Sequence, residues 1–349
     1  MILDSLEVPI VLAPMAGGPS TPELAAAVAN AGGLGFLAAG YLSADVLAEQ
    51  LEHARSLTDR PLAVNVFHPG DGPSDHSAFA QYVEHLRAWA AGAGVELGEP
   101  RYTDDDWGAK LDLLAGAPVR VVSFTFGCPD ETVVKRLHHA GSEVWVTVTS
   151  PEEGRQAQAA GADVLVAQGA EAGGHRGSFR DHPELPVYGI LALLSLLGAE
   201  LSVPLVASGG IATGGTVAAV LAAGARAAQI GSAFMLCPEA GTAAPLRAAL
   251  RAGGQTVLTR AFTGRLARGI RNRFIAEHEP HAALAYPEIH YVTAPMRAAA
   301  RAEGDPELIN LWAGESHALA LELPAADIVA KLAADARVAL TRAGSVPGL

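Results

Sequence analysis

The stretch AGADVLVAQGAEAGGHRG, residues 160–177, contains one complete structural unit of this chain. It begins with the Ala-Gly end of a predicted helix, continues as a short apolar strand and ends in a glycine-rich loop. Glycine at a helix end accepts a positive φ, so the next strand can begin within a few residues. The same unit begins again at Ala31, Ala140 and Ala223. This alternation of helix and strand is typical of a parallel sheet.

Counting outward from this unit predicts eight strands. Most are continuous apolar runs, as expected for parallel strands that are covered by helices. Eight such strands favour an α/β fold of the (β/α)8 TIM barrel type. The predicted strands are 9–14, 33–39, 61–67, 119–126, 143–149, 163–168, 204–208 and 227–234.

Alanine-rich helices between the strands are expected to form the outer ring of the barrel. Thr21-Pro22 and Ser150-Pro151 each place a capping residue before a proline at the first helical position, a pattern typical of helix starts. The predicted helices include 21–31, 44–56, 131–140, 152–160, 214–223 and 242–252.

Two regions are too long for one strand-helix unit. Residues 68–116 follow the third predicted strand and form a predicted insertion, with an amphipathic stretch at 77–91 and an acidic turn at 104–106. Residues 254–349 follow the eighth strand and are predicted to be a helical extension that packs on the barrel mouth as a lid or subdomain. The predicted barrel is then residues 1–253.

The composition excludes several classes of partner. Lys plus Arg number 24 and Asp plus Glu 37, a net charge of −13, which disfavours nucleic acid. The arginine cluster at residues 260–273 is interpreted as a helix whose basic face is solvated or paired with carboxylates. Cys128 and Cys237 are far apart, and no apolar run reaches the ~18 residues of a membrane span. We therefore expect a cytoplasmic protein without membrane or metal, either monomeric or homodimeric.

The loops after the last two predicted strands indicate a phosphate site. In such barrels these loops commonly hold a phosphate. In SGGIATGG, residues 208–215, Gly209 and Gly210 leave room for close approach, and the helix from Gly214 points free N–H groups the same way. The second loop, QIGSAF at 229–234, adds the amides of Gly231 and Ser232.

The loop after the sixth strand indicates chemistry. The strand ends in Gln168, and His175 follows among glycines, where a planar ligand can approach. An imidazole there can donate a hydrogen bond or take a proton near neutral pH. Glu171 and Arg176 are interpreted as an internal ion pair that holds the loop. Asn65 stands at another strand end facing the same mouth.

These motifs together resemble the nitronate monooxygenase family over most of the chain. They occur in the family order at successive strand ends. The matching segments are APMAGG (13–18), NVF (65–67), VVSFTFGCP (121–129), AQGAEAGGHRG (167–177), SGGIATGG, QIGSAF and LWAGES (311–316).

The resemblance implies FMN as the cofactor and His175 as the catalytic residue. It implies oxidation of alkyl nitronates, or of nitroalkanes, by O2 to a carbonyl compound and nitrite. Ser123 and Thr125 are expected in the substrate pocket. The residues that this resemblance and the loop analysis assign to FMN are Ala13, Pro14, Met15, Asn65, Gln168, Gly173, Gly174, Gly209, Gly210, Gln229, Ile230, Gly231 and Ser232.

The chain departs from the family pattern at two positions. Thr125 stands where relatives often carry histidine, and a threonine hydroxyl cannot act as a base near neutral pH. Glu315 stands where glutamine is usual. These departures bear on substrate preference.

Two alternatives stay open at this point. An NAD(P)H-dependent FMN reductase of the enoyl-ACP or quinone type has a similar EAGGH loop and the same barrel. A barrel that binds FMN or another phosphate ligand without redox chemistry is the second alternative, because a fold does not fix a function.

Overall fold

The structure is a computed structural model that describes residues 1–70, 72–73 and 75–346. Parallel strands form its centre. The strands are β1 Ile10–Leu12, β2 Gly35–Ala38, β3 Leu62–Phe67, β4 Val121–Thr125, β5 Glu143–Val148, β6 Val164–Gln168, β7 Gly174–His175, β8 Leu205–Ser208, β9 Ala227–Ile230, β10 Thr256–Thr259 and β11 Ala267–Ile270.

Eight of these strands form one sheet in the order β1-β9-β8-β6-β5-β4-β3-β2. Each neighbouring pair in it is parallel. The backbone of Leu34 exchanges hydrogen bonds with Ile10 and Leu12 at 3.0 and 2.9 Å, which joins β1 to the segment that leads into β2. The sheet thus closes into the predicted (β/α)8 barrel, and β8 and β9 are its seventh and eighth strands.

Apolar side chains fill the barrel interior. Alternate strand residues such as Val121, Trp145 and Val166 form one buried cluster there. Ile2 and Leu3 of the N-terminal turn join this cluster, and the amide of Ile2 donates to the Glu143 carboxylate at 2.7 Å. Because β5 begins at Glu143, this plug closes the N-terminal end of the strands. The C-terminal end is left for a ligand.

The helices mostly form the outer layer. Thr21 and Ser150 cap α1 and α6 by accepting from Leu24 N and Glu153 N, which confirms both predicted caps. The α-helices are α1 Pro22–Asn30, α2 Ala44–Leu57, α3 His76–Ala93, α4 Trp107–Gly116, α5 Glu131–Ala140, α6 Pro151–Ala160, α7 Ile190–Glu200, α8 Gly214–Ala222, α9 Ala244–Ala252, α10 Arg273–His278, α11 Glu288–Glu303 and α12 Ala325–Gly344.

The segment predicted as an insertion contains two helices with different surroundings. Helix α4 packs between α2 and α5 in the outer layer. Helix α3 instead packs on the C-terminal part of the chain, where Tyr82 and Leu86 are buried against Phe262, Phe274 and Ile289. This second apolar core lies beside the barrel. The domain boundaries given above stay a prediction.

The arginine cluster is not a helix, and that prediction is wrong. Strands β10 and β11 form an antiparallel hairpin, and β7 pairs with β11 as a third strand. The β-branched residues Thr256, Val257 and Thr259 favour a strand. Arg260 pairs with Asp181 at 2.8 Å and Arg268 with Glu315 at 3.0 Å. Arg265 is buried without a carboxylate partner among the described residues, contrary to a solvated basic face.

The end of the chain returns to the barrel. Helix α12 packs against α8 and α1 of the outer layer. In the described ranges, no helix has the length and apolarity needed to span a membrane. Cys128 and Cys237 are both free thiols.

Candidate active site

A cavity of about 380 Å³ opens at the C-terminal ends of the barrel strands. Its volume lies within the usual range of ligand pockets, about 300–1,000 Å³. The loops after β1, β6, β8 and β9 and residues 309–317 contribute to its wall. The predicted site residues that line it are Ala13, Pro14, Met15, Asn65, Thr125, Gln168, Gly173, Gly174, His175, Gly209, Gly210, Gln229, Gly231 and Ser232.

Four backbone amides form a group that we call the amide cradle: Gly209, Gly210, Gly231 and Ser232. Within the described ranges, none of these amides has a hydrogen-bond acceptor. Gly209 and Gly210 have φ of +114° and +67°, values that side chains rarely adopt. Helix α8 begins nearby, at Gly214. Free N–H groups beside a helix N-terminus make a site for a phosphate or another anion.

Close contacts explain why glycine occupies two positions around the cradle. A Cβ atom on Gly210 would lie 2.9 Å from Glu171 Cβ, and one on Gly173 would lie 2.4 Å from Gly314 N. Any side chain there would push apart the loops after β6 and β8 and the segment that carries Gly314. Glycine therefore keeps these three segments in contact.

Gln168 fixes the loop that carries His175. Its Nε2 donates to the His175 carbonyl at 3.1 Å, and its Oε1 accepts from Gly177 N at 2.8 Å. The pairing of β7 with β11 holds the same loop from the other side. The position of the imidazole is thus set by a strand-end amide and by a hairpin almost a hundred residues later in the chain.

The predicted ion pair between Glu171 and Arg176 is wrong. The Glu171 carboxylate accepts from Ile190 N at 3.0 Å. Arg176 donates to the carbonyl groups of Gln168 and Gly169 at 3.1 and 2.7 Å. Each side chain satisfies backbone groups of the loop separately, because buried backbone polar groups require partners.

The His175 imidazole packs against the rings of Phe126, Tyr286 and Trp312. We call these four side chains the aromatic wall. The imidazole centroid is 5.7, 5.5 and 5.5 Å from these three rings, respectively. Its Nε2 is 2.9 Å from Thr263 Oγ1. Desolvation, with smaller contributions from nearby Arg265 and Arg297, lowers the pKa of His175 to about 3. The imidazole is therefore neutral at physiological pH.

Two buried guanidinium groups stand near the imidazole. Arg265 and Arg297 are each 6% exposed, and neither forms an ion pair with a described carboxylate. Arg265 lies 4.1 Å above the Phe126 ring. Arg297 lines the cavity and donates to the His290 carbonyl at 2.6 Å. Desolvation lowers the pKa of Arg297 to about 10. Two buried cations without carboxylate partners favour an anionic ligand.

Asn65 and Thr125 reach the cavity, but two other predicted residues do not. Asn65 Nδ2 donates to Thr125 Oγ1 at 3.0 Å and to Ser123 Oγ at 2.8 Å. Ser123 is 1% exposed and does not line the cavity. Its hydroxyl supports the Asn65 amide by accepting a hydrogen bond from it. The Ile230 side chain is buried in the core between sheet and helices, and its carbonyl accepts from Ala13 N.

Sequence reasoning missed several residues of the cavity. Tyr41 stacks on His290 with ring centroids 4.3 Å apart, and it has a positive φ of 69°. Asp105 accepts from Tyr41 N at 2.9 Å and from the fully buried Lys110 at 2.7 Å. The acidic turn at 104–106 was visible in the sequence, but nothing local connects it to Tyr41. The other missed residues that line the cavity include Phe126, Thr147, His290, Arg297, Ser316 and His317. Thr263, Arg265 and Tyr286 were also missed; they contact His175 or Phe126 from outside the cavity lining.

Comparison with known proteins gives one consistent relationship. A family model described as nitronate monooxygenase matches residues 2–335. A curated Staphylococcus aureus (strain MSSA476) protein named "Probable nitronate monooxygenase" is 38% identical over 338 residues, which cover 94% of each chain.

Two solved structures are similar to the chain. The chain resembles nitroalkane oxidase from Streptomyces ansochromogenes with a TM-score of 0.94 and 49% identity, covering 98% of this chain and 99% of that one. FabK from Thermotoga maritima is similar with a TM-score of 0.77 and 25% identity, covering 99% of this chain and 98% of that one.

Proposed function

We propose, since this chain belongs to the nitronate monooxygenase family, that it oxidises alkyl nitronates with FMN as cofactor and O2 as oxidant. The products would be a carbonyl compound and nitrite. Family membership makes the chain an oxidoreductase; the cofactor, the oxidant and the substrate are our proposal. The observation that carries it is a neutral imidazole, His175, that shares one cavity with a set of unpaired backbone amides.

The residues around the cavity fit FMN. The amide cradle would hold the phosphate, because its N–H groups have no other acceptor within the described ranges. The amide side chains of Asn65, Gln168 and Gln229 line the cavity and would face the ring system. When bound, FMN would supply the redox chemistry by taking electrons from the substrate and passing them to O2.

The lowered pKa of His175 favours a nitronate over a neutral nitroalkane. A general base works best when its pKa is near the working pH, and the pKa of His175 is lowered to about 3. This imidazole is a poor acceptor for the α-proton of a neutral nitroalkane. A nitronate has already lost that proton, so it needs only to be bound and oriented. His175 would do this with a hydrogen bond to a nitronate oxygen.

Arg265 and Arg297 would support the same preference. Both lie close enough to His175 to lower its pKa, and neither forms an ion pair with a described carboxylate. An anionic substrate would bring the missing negative charge into a region of low dielectric, where charge interactions are strong. The substrate would therefore be bound through the negative charge of its nitronate group, which is also the group that is oxidised.

The visible spectrum of the purified protein tests the proposal. We expect a yellow protein, or an apoprotein that becomes yellow on addition of FMN. Anaerobic addition of a nitronate should bleach the flavin, and air should restore the colour with release of nitrite. Bleaching by NADH or NADPH but not by the nitronate would favour the reductase alternative. A colourless protein that cannot be loaded with FMN would contradict flavin chemistry altogether.

A further inference from the structure

His317 has a buried nitrogen without a partner. The side chain is 3% exposed and lines the cavity. Its Nδ1 is 3.0 Å from the Gly314 carbonyl, so Nδ1 must carry the hydrogen of that bond. Its Nε2 is buried without a hydrogen-bond partner among the described residues. Such an atom costs free energy unless a ligand satisfies it.

The segment that carries His317 is held against the amide cradle. Ser316 Oγ donates to the Gly210 carbonyl at 2.8 Å, and Gly314 N donates to Ser232 Oγ at 2.9 Å. Glu315 N donates to the Glu171 carbonyl at 3.0 Å. The loops after β6, β8 and β9 are all contacted within three consecutive residues. His317 follows them directly, so it is placed at the cradle end of the cavity.

Charged side chains on the segments that pack against this part of the described chain have other partners. The Glu171 carboxylate accepts from Ile190 N. Glu315 pairs with Arg268. On α9, which packs against the turn beginning at His317, Arg247 donates to backbone carbonyl groups and Arg251 pairs with Glu322. None of these groups bonds to His317 Nε2.

We propose that His317 is a ligand of the FMN phosphate, which it binds as an imidazolium through Nε2. This inference rests on the proposed function, because it needs FMN in the cavity. Nδ1 already donates to Gly314, so Nε2 can donate only when the ring carries a second proton. A phosphate dianion beside the ring favours that charged form, and a charge-assisted hydrogen bond is stronger than a neutral one. A residue outside the barrel sequence thereby completes the cradle.

The test compares FMN with riboflavin, which lacks the phosphate. Apoprotein is titrated with each flavin, and the Kd is read from flavin fluorescence. His317→Gln keeps at most a neutral amide donor in place of the imidazolium, so it should raise the Kd for FMN about 10-fold, the difference between a charge-assisted and a neutral hydrogen bond, and should leave the Kd for riboflavin nearly unchanged. His139→Gln, at an exposed position on α5, is the matched control and should change neither value.

Proton uptake gives a second measurement that needs no variant. At pH 8 a free imidazole is mostly neutral and a phosphate monoester is mostly a dianion. Calorimetry of wild-type apoprotein in two buffers of different ionisation enthalpy should show uptake of up to one proton with FMN and none with riboflavin.

The outcomes separate this inference from the proposed function. An equal loss of both flavins in His317→Gln, or FMN binding without proton uptake, would overturn the role of His317 alone. A wild-type protein that binds neither flavin would overturn the proposed function as well.

Discussion

The two ends of the cavity are built by different means. The amide cradle uses backbone groups from two adjacent strand ends, and its shape depends on the positive φ of Gly209 and Gly210. The aromatic wall uses side chains from distant parts of the chain, such as Phe126, Tyr286 and Trp312. The four amides of the cradle offer fixed dipoles and carry no charge, whereas the wall lies beside two buried guanidinium groups without ion-pair partners among the described residues and contains a neutral imidazole. We therefore expect changes in the cradle to alter FMN affinity and changes in the wall to alter turnover.

The largest effect is expected at the wall, from His175→Asn. Turnover of a nitronate should fall roughly 10²-fold or more, the scale for losing one hydrogen-bond donor to a reacting anionic oxygen. FMN should remain bound, because the amides of the cradle do not involve the imidazole. Steady-state kinetics and the flavin spectrum measure the two quantities on the same preparation.

His139→Asn, at an exposed position on α5, is the control and should leave both quantities unchanged. If His175→Asn turned over at the wild-type rate, His175 would have no part in the reaction. If it lost FMN instead, the two ends of the cavity would not be independent.

A second prediction uses acid to separate the two ends. An unfolded imidazole binds a proton below pH ~6.5, whereas His175 stays neutral in the folded apoprotein down to about pH 3. The stability that His175 contributes is thus present above pH ~6.5 and is lost as the pH falls toward 3. Between pH 7 and pH 5 this loss is up to about 2 kcal/mol of the free energy of unfolding.

Urea denaturation of the apoprotein at both pH values measures this loss. His175→Asn should lose less stability on acidification than the wild type does, since asparagine does not titrate. A cradle variant such as Gly210→Val should keep the wild-type pH dependence. Equal acid sensitivity in wild type and His175→Asn would mean that the folded imidazole takes up its proton near the ordinary pH.

The third prediction concerns the cradle itself. Gly210→Val places a side chain at φ +67°, and its Cβ would lie 2.9 Å from Glu171 Cβ. A left-handed backbone costs a side chain roughly 1–2 kcal/mol, so the loop should relax to another conformation in the apoprotein. FMN binding would have to restore the present conformation, and FMN affinity should therefore fall roughly 10-fold or more. Turnover per bound FMN should stay near the wild-type value. Fluorescence titration gives the affinity, and rates normalised to bound flavin give the turnover.

Gly198→Val is the matched control, because a Cβ on Gly198 meets nothing within 4 Å and the residue is exposed on α7. Unchanged FMN affinity in Gly210→Val would mean that the phosphate does not lie at Gly210.

The same contrast explains how much could be predicted from the sequence. The eight strands and the glycines of the cradle are local patterns, in which a few neighbouring residues set the backbone. His175 was visible because glycines surround it. Its lowered pKa was not visible, since it depends on burial and on Arg265 and Arg297, which lie some 90 and 120 positions later in the chain.

Two failures have the same physical origin. The arginine cluster was predicted as a helix because charge spacing alone does not show that Arg265 is buried over the Phe126 ring at 4.1 Å. The ion pair of Glu171 with Arg176 looked plausible from spacing, yet both side chains bond to backbone groups instead. Long-range packing decides which partner a charged side chain meets, and no local pattern records it.

The smallest effect is expected from Thr125→Val, because Thr125 lines the cavity and its partner Asn65 keeps a second hydrogen bond. Its hydroxyl accepts from Asn65 Nδ2 at 3.0 Å and is 3.4 Å from Thr147 Oγ1. Valine keeps the shape but removes the acceptor, which is worth about 1 kcal/mol. Asn65 still has Ser123 as a partner at 2.8 Å, so FMN affinity and turnover should each change less than about 10-fold.

Titration with FMN and kinetics with a short and a long alkyl nitronate would measure the change. A loss confined to FMN affinity would assign Thr125 to the cofactor end through Asn65, whereas an altered ratio of kcat/KM between the two nitronates would assign it to the substrate end. A loss in either quantity well above 10-fold would contradict the support that we ascribe to Ser123.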